Sequence, residues 1–365
     1  MRRFLRDVLL FVLFCAAINL VNFLPTELFT FRNWEALTYQ RRLGFFSYGA
    51  FYRDQSTRRS EYGDLAHHSS LALRKEEIIW RTDRLGNRND EFVQTPDIVL
   101  VGDSDLTGSG VSQENTLVNL INQDGRYRAY SIAPKGMDEL MTMMTYGVID
   151  TPTVVVYQRL ERETLSIPPI RSAGASLGGR ALSRIRTNTA AAVAFEAMDK
   201  IHAQRPFRYL QARLRGTNGL ANSIQSSVDS SFFFLRYAAI HAVNYASSDG
   251  DLNHVAKALV RYRDFLASRN IEFVFLPVPN KATIYHDLVP LDSQPVFLAR
   301  LIQRLKADSI RVVDTFEMFT RAAKRELLYF QDDTHWNERA ISLTHSELQR
   351  QLEDLRSSST VREEP

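Results

Sequence analysis

The sequence predicts an α/β protein built around a parallel sheet that is covered on both faces. Three observations carry this. Short, continuously apolar runs recur at Asp97–Ser104, Thr151–Gln158, Ile271–Pro279 and Ser309–Phe316; strands buried on both faces read this way, whereas half-exposed strands alternate. Stretches with helical spacing, such as Thr116–Gln123 and the amphipathic segment from Leu252 to Asn270, separate them, as crossover helices do. A chain of 365 residues with 44% hydrophobic and 24% charged residues has a globular composition. That length suits one large domain or one domain with an insertion.

Taken in order, residues 1–25 read as a membrane anchor. Arg2, Arg3 and Arg6 precede an apolar run from Val8 to Leu24, which as a helix rises ~26 Å, close to a bilayer core of ~30 Å. No small-x-small cleavage site closes the run, so an uncleaved transmembrane helix with the N-terminus in the cytoplasm is expected; a cleaved signal peptide and a buried helix compete with it. Phe14 before Cys15 argues against a lipoprotein. Cys15 is the single cysteine, which excludes an internal disulfide and a cysteine zinc site. Its scarcity fits an oxidising compartment. Residues 26–80 form an aromatic, irregular lead-in, and 81–355 the main domain.

Within that domain, residues 165–228 interrupt the strand–helix alternation with a helical insertion. Nine basic against two acidic residues there leave a charge of +7. It reads as a solvated basic cap or as a surface for an anionic glycan, lipid head groups or a membrane partner. A helix from Glu338 to Leu355 closes the domain, and 356–365 form a disordered tail.

The sharpest chemical signal is VLVGDSDLTGSGV, Val99–Val111. A serine just after a strand, at a turn opening a helix, stands at the carboxyl edge of the sheet, where open α/β folds bind ligands. Backbone N–H groups at that turn can face a developing oxyanion. No Gly-Lys-Ser/Thr or dinucleotide spacing supports phosphate binding instead. Ser104 needs a base, and of eight histidines His335, in QDDTHWN, has the best setting. Asp332 or Asp333 can hold its Nδ1 while Nε2 faces Ser104; spacing alone does not choose between them. The competing reading of this stretch is a helix N-cap with a surface histidine. His67 and His68 have no spacing that would make a metal site with this cluster, and no metal or other cofactor is expected.

GDS at Gly102–Ser104 with the later Asp/His loop resembles the SGNH hydrolase superfamily. WRTDRLGNRND before the motif and GSGVSQENT after it are similar to the flanks of such domains. DTHWN at Asp333–Asn337, PVPNKATIY at Pro277–Tyr285 and LERETL at Leu160–Leu165 resemble a narrower branch, the SGNH-like O-acetyltransferases of bacterial exopolysaccharide (alginate-type) acetylation. The resemblance covers Trp80–Leu165 and Glu272–Leu348. It implies a flavodoxin-like three-layer SGNH hydrolase fold, with Ser104 as nucleophile, His335 as base and Asp333 as orienting acid. Gly136, in SIAPKGM, then joins Ser104 in an oxyanion hole.

The sequence departs from the family in three respects. The superfamily's Gly-x-Asn-Asp block is replaced by Gln158, Arg159, Glu161 and Arg162. Asp105 follows the nucleophile where an apolar residue is usual. The Asp-His pair follows the serine, whereas alginate proteins carry it before. Arg162, Lys281, Tyr285 and Trp336 are candidate substrate contacts. Lys281 reads equally as a turn lysine, Tyr285 as packing, and Trp336 as a buried indole or a sugar platform.

The resemblance implies a periplasmic serine O-acetyltransferase at the bacterial inner membrane, acting on a cell-envelope or exopolysaccharide through an acetyl-serine. A carbohydrate acetylesterase and an idle polysaccharide-binding module are the alternatives. The expected partners are the polysaccharide, the membrane and a membrane-bound O-acyltransferase as acetyl donor; nucleic acid is not among them.

Overall fold

The computed structural model describes residues 2–20, 24, 26–40, 42–171, 174–201, 205–216, 219–235, 248–289 and 295–360. A five-stranded parallel sheet forms its centre. Its strands are β3 (Ile98–Val101), β4 (Ala129–Ser131), β5 (Val154–Leu160), β8 (Glu272–Val278) and β9 (Arg311–Val312), and they lie in the order β4-β3-β5-β8-β9. Counted along this sheet, that is the doubly wound order 2-1-3-4-5, which reverses direction at β3. Four of these strands fall where the apolar runs predicted them. The fifth, β4, carries Ala-Tyr-Ser and lies outside those runs.

The strands alternate between two buried layers. Val99, Val101, Val155, Tyr157, Phe273 and Phe275 pack against Met137–Thr145, Asp249–Ala267 and Phe297–Ala307. Ile98, Leu100, Val154, Val156, Val274 and Leu276 pack against Leu117–Gln123, Thr315–Ala322 and the closing helix Glu338–Thr360. Helices on both faces make the continuously apolar strand sequences necessary. The closing helix continues through the serines expected to fray; residues 361–365 lie outside the described part.

The lead-in holds an antiparallel hairpin that sequence reading left irregular, β1 (Ser56–Tyr62) and β2 (Arg74–Arg81). Polar and charged residues dominate both strands, which hides their period. A second hairpin pairs β6 (Ser223–Gln225) with β7 (Phe232–Phe234). The basic insertion is helical at Leu177–Thr187, Thr189–Ile201 and Arg205–Arg215. Its two acidic residues face the lead-in: Glu196 accepts the Arg53 N–H at 2.7 Å and Asp199 the Tyr52 hydroxyl at 2.7 Å.

One expectation is corrected. Among the described residues no helix is long and apolar enough to cross a membrane. The first helix spans Arg2–Leu20, but Arg2, Arg3, Arg6 and Asp7 fill its start. Its apolar remainder, Val8–Leu20, rises only ~20 Å. Residues 1, 21–23 and 25 of the expected anchor lie outside the described part.

Candidate active site

Ser104 opens a four-residue helical turn directly after β3, at the carboxyl edge of the sheet and at its reversal point. Asp103 caps that turn: its Oδ1 accepts the Asp105 N–H at 3.0 Å and its Oδ2 the Leu160 N–H at 3.1 Å. The Asp103 N–H is in turn bound by Gln158 Oε1 at 2.9 Å. Gly102 is required here, since a Cβ would lie 2.3 Å from that same oxygen. Arg88 clamps the far side, donating to the carbonyls of Thr107, Gly108 and Val111 while stacked on Trp80.

His335 meets Ser104 from the other end of the chain. Its Nε2 lies 2.9 Å from Ser104 Oγ, and its Nδ1 lies 2.6 Å from Asp333 Oδ1. Asp333 also accepts the backbone N–H of His335 at 3.2 Å. The geometry therefore selects Asp333 over Asp332, whose Oδ2 is taken by the N–H groups of Gly63 and Leu73 at 3.0 and 2.8 Å. Helix capping falls to neither: Asn337 Oδ1 accepts from Arg339 and Ala340 at 3.0 and 3.2 Å. A Tyr329–Trp336 bridge closes the loop that carries the pair.

The electrostatics follow from burial and pairing. Burial pushes the Asp333 carboxyl up, but Lys75 and His335 outweigh it and hold Asp333 well below the usual carboxylate range. Burial alone would lower His335, yet Asp333, Asp105 and Asp64 raise it to about 8. Asp105 is 1% exposed and its carboxyl is pushed by burial to about 7; its Oδ1 accepts the Trp336 N–H at 3.3 Å. An imidazole joined to an ionised carboxylate and a serine hydroxyl can accept the hydroxyl proton as an alcohol oxygen attacks a carbonyl.

The remaining expected residues fall into two groups. Gly136 is the N-cap residue just before the helix Met137–Thr145, exposed and extended, with open space where a Cβ would stand. Arg162 lies over Asn280 at 3.4 Å, in a narrow cleft with Leu65, Phe233, Phe234 and Thr334. The other three candidate substrate contacts have their polar tips bonded to backbone, as their packing readings require. Lys281 spends its ammonium on the carbonyls of Phe232, Phe330 and Gln331 at 2.8, 2.7 and 2.9 Å. The Tyr285 hydroxyl accepts the Leu328 N–H at 2.9 Å and packs on Tyr329. Trp336 is 0% exposed and donates its indole N–H to Asp105 O at 2.9 Å, so it offers no platform.

Sequence reading missed two residues at this site, Lys75 and Asp64, both from the lead-in. Lys75 Nζ lies 2.8 Å from Asp333 Oδ2, and Asp64 takes both the N–H and the hydroxyl of Thr334 at 2.8 Å. Asp64, Asp333 and His335 bring possible metal-ligand atoms within 4.8 Å of one another. Lys75 and Arg32 already stand against those carboxylates, at 2.8 and 3.9 Å. His67 stacks on Phe31 with centroids 3.8 Å apart, and His68 meets Tyr209 edge-on.

Residues 236–364 match the family described as "SGNH hydrolase-like domain, acetyltransferase AlgX". The chain is similar to the SGNH-like AlgX proteins. The AlgX-type match takes in Lys281, Asp333 and His335; Ser104 and the lead-in lie before it. The parallel sheet with helices on both faces fits an SGNH-like fold. No curated protein and no solved structure gave a significant match.

Proposed function

We propose that this chain is a serine O-acetyltransferase acting on a cell-envelope or exopolysaccharide outside the cytoplasm. One observation carries the reading: the unbroken series Ser104 Oγ–His335 Nε2 at 2.9 Å and His335 Nδ1–Asp333 Oδ1 at 2.6 Å. The AlgX-type match supports acyl-ester chemistry and, within it, acetyl transfer.

Ser104 attacks the carbonyl carbon of an acetyl donor as its proton passes to His335 Nε2. N–H groups of Ser104 and Gly136 hold the oxyanion, each donor contributing about 3–4 kcal/mol to the transition state. Collapse breaks the donor's acyl bond, and the leaving oxygen takes the proton from His335. A sugar hydroxyl then attacks the acetyl-serine, gives its proton to His335, and collapse returns Ser104 with that proton. Arg162 stands beside the acid–base loop to meet sugar oxygens. Acetyl-coenzyme A is cytoplasmic, so a membrane-bound O-acyltransferase is the donor partner. The exposed apolar residues of the first helix, among them Phe4, Leu9 and Phe11, suit such a membrane-facing location.

A serine-directed fluorophosphonate labels the wild-type chain and fails to label Ser104→Ala. With an acetylated donor ester and an oligosaccharide, acetate appears on the sugar. Acetate released only to water identifies an esterase instead, and a folded wild-type chain that is neither labelled nor active refutes the proposal.

A further inference from the structure

The lead-in, residues 26–80, lies outside both the α/β sheet and the AlgX-type match, yet it reaches the acid–base pair from behind. Lys75, on β2, crosses 258 sequence positions to place Nζ 2.8 Å from Asp333 Oδ2. The side chains are 10% and 0% exposed. The ammonium also sits 3.7 Å from the centre of the Phe330 ring, on the loop that leads into Asp333. Space for it is reserved. Gly110 adopts φ +84°, and a Cβ there would come within 2.7 Å of Lys75 Nζ and 3.1 Å of Phe330. A left-handed, side-chain-free residue is needed where the lysine passes.

We propose that Lys75 is a positioning residue for the acid–base pair: it fixes Oδ2 of Asp333 and leaves Oδ1 as the oxygen that holds His335 Nδ1. The inference rests on the reading of Ser104 and His335 given above and deepens it. Other charged groups face the pair. Asp64 Oδ2 lies 3.7 Å from His335 Nδ1, with Arg32 behind it at 3.9 Å. Asp105 approaches from the nucleophile turn, bonded to the Trp336 N–H. Asp332 and Lys281 flank the loop. Lys281 reaches only the backbone oxygen of Asp333, at 3.4 Å, whereas Lys75 is bonded to the carboxylate itself. Its charge has a defined consequence. A cation beside Asp333 opposes the imidazolium that forms when His335 takes the serine proton. Removing it strengthens proton binding by His335, so the neutral base becomes available only at higher pH.

The full chain serves for the test. Fluorophosphonate labelling rates of Ser104 are measured against pH for the wild type, Lys75→Met and Lys75→Arg, with a parallel NMR titration of the His335 imidazole. In Lys75→Met the acidic limb and the His335 titration both move up by about one pH unit, and labelling at pH 7 falls about ten-fold, one unit being ten-fold in the neutral fraction. Lys75→Arg, which keeps the cation, titrates like the wild type. Should Lys75→Met fail to fold, Lys75→Gln carries the same expectation. A folded neutral variant with the wild-type titration overturns the proposal, as does Lys75→Arg shifting as far as the neutral variants. If the wild type is never labelled while the His335 titration still moves with Lys75, the functional reading fails and the positioning role stands.

Discussion

Replacing Lys281 by methionine separates a structural lysine from a substrate contact. The residue is 7% exposed and its ammonium donates to three backbone carbonyls at 2.7–2.9 Å. Phe232 belongs to the β6–β7 hairpin, and Phe330 and Gln331 to the acid–base loop, so one side chain ties two segments together. Hydrogen bonds to charged groups contribute about 1.5–3 kcal/mol each, or roughly 5–9 kcal/mol for three. Against this, methionine escapes the several kcal/mol needed to bury an ammonium, and burial already lowers this lysine to about 8. The balance is a loss of about 3 kcal/mol, read as a lower urea midpoint at unchanged slope. Because the lost anchors hold the loop of Asp333 and His335, the fluorophosphonate labelling rate of Ser104 falls about ten-fold, a loss of about 1.4 kcal/mol in alignment. Ester KM stays near the wild-type value. A stability change of less than about 0.5 kcal/mol, the range of an inert surface substitution, together with a raised KM, would instead make Lys281 a substrate contact.

Stability and reactivity run in opposite directions with pH. His335 is raised from 6.5 to about 8 in the folded chain, so its stabilisation is complete below 6.5 and is lost as pH rises through about 8. Asp105, raised from 3.8 to about 7 by burial, acts with the same sign: its share is lost as pH rises through about 7. Urea unfolding is therefore expected to give a lower free energy at pH 8.5 than at pH 6, while Ser104 labelling climbs over that window. Asp105→Asn shrinks the decline by at least about 1 kcal/mol and moves the labelling limb to lower pH, because an anion beside His335 is gone; a decline of unchanged size counts against the assignment. Gln158→Leu removes the acceptor of the Asp103 N–H, with an expected loss of about 1–3 kcal/mol and slower Ser104 labelling in a folded chain.

What was legible in the sequence follows from how far each signal reaches. A strand buried on both faces must be apolar at consecutive positions, so β3, β5 and β8 announced themselves. A serine at the end of the first such strand had its place fixed by the sheet. QDDTHWN placed a carboxylate two positions before an imidazole, close enough for a loop to join them at 2.6 Å. Lys281, Tyr285 and Trp336 each carried two readings, substrate contact or packing, because type and proximity to a motif do not choose between them; each has a polar tip that a buried turn uses to bind backbone. Lys75 and Asp64 had no local signal at all. Both lie within polar, charge-rich stretches around a hairpin, and their partners stand 258 and 270 positions away. Nothing in the spacing of a surface-like strand distinguishes a lysine facing water from one facing a buried aspartate. The trace such a contact leaves is indirect: a glycine at Gly110 whose positive φ and missing side chain make room for a distant ammonium. A site assembled from segments this far apart is held by charge pairing across the fold. The residues that tune its acid–base chemistry are therefore those that local pattern describes least.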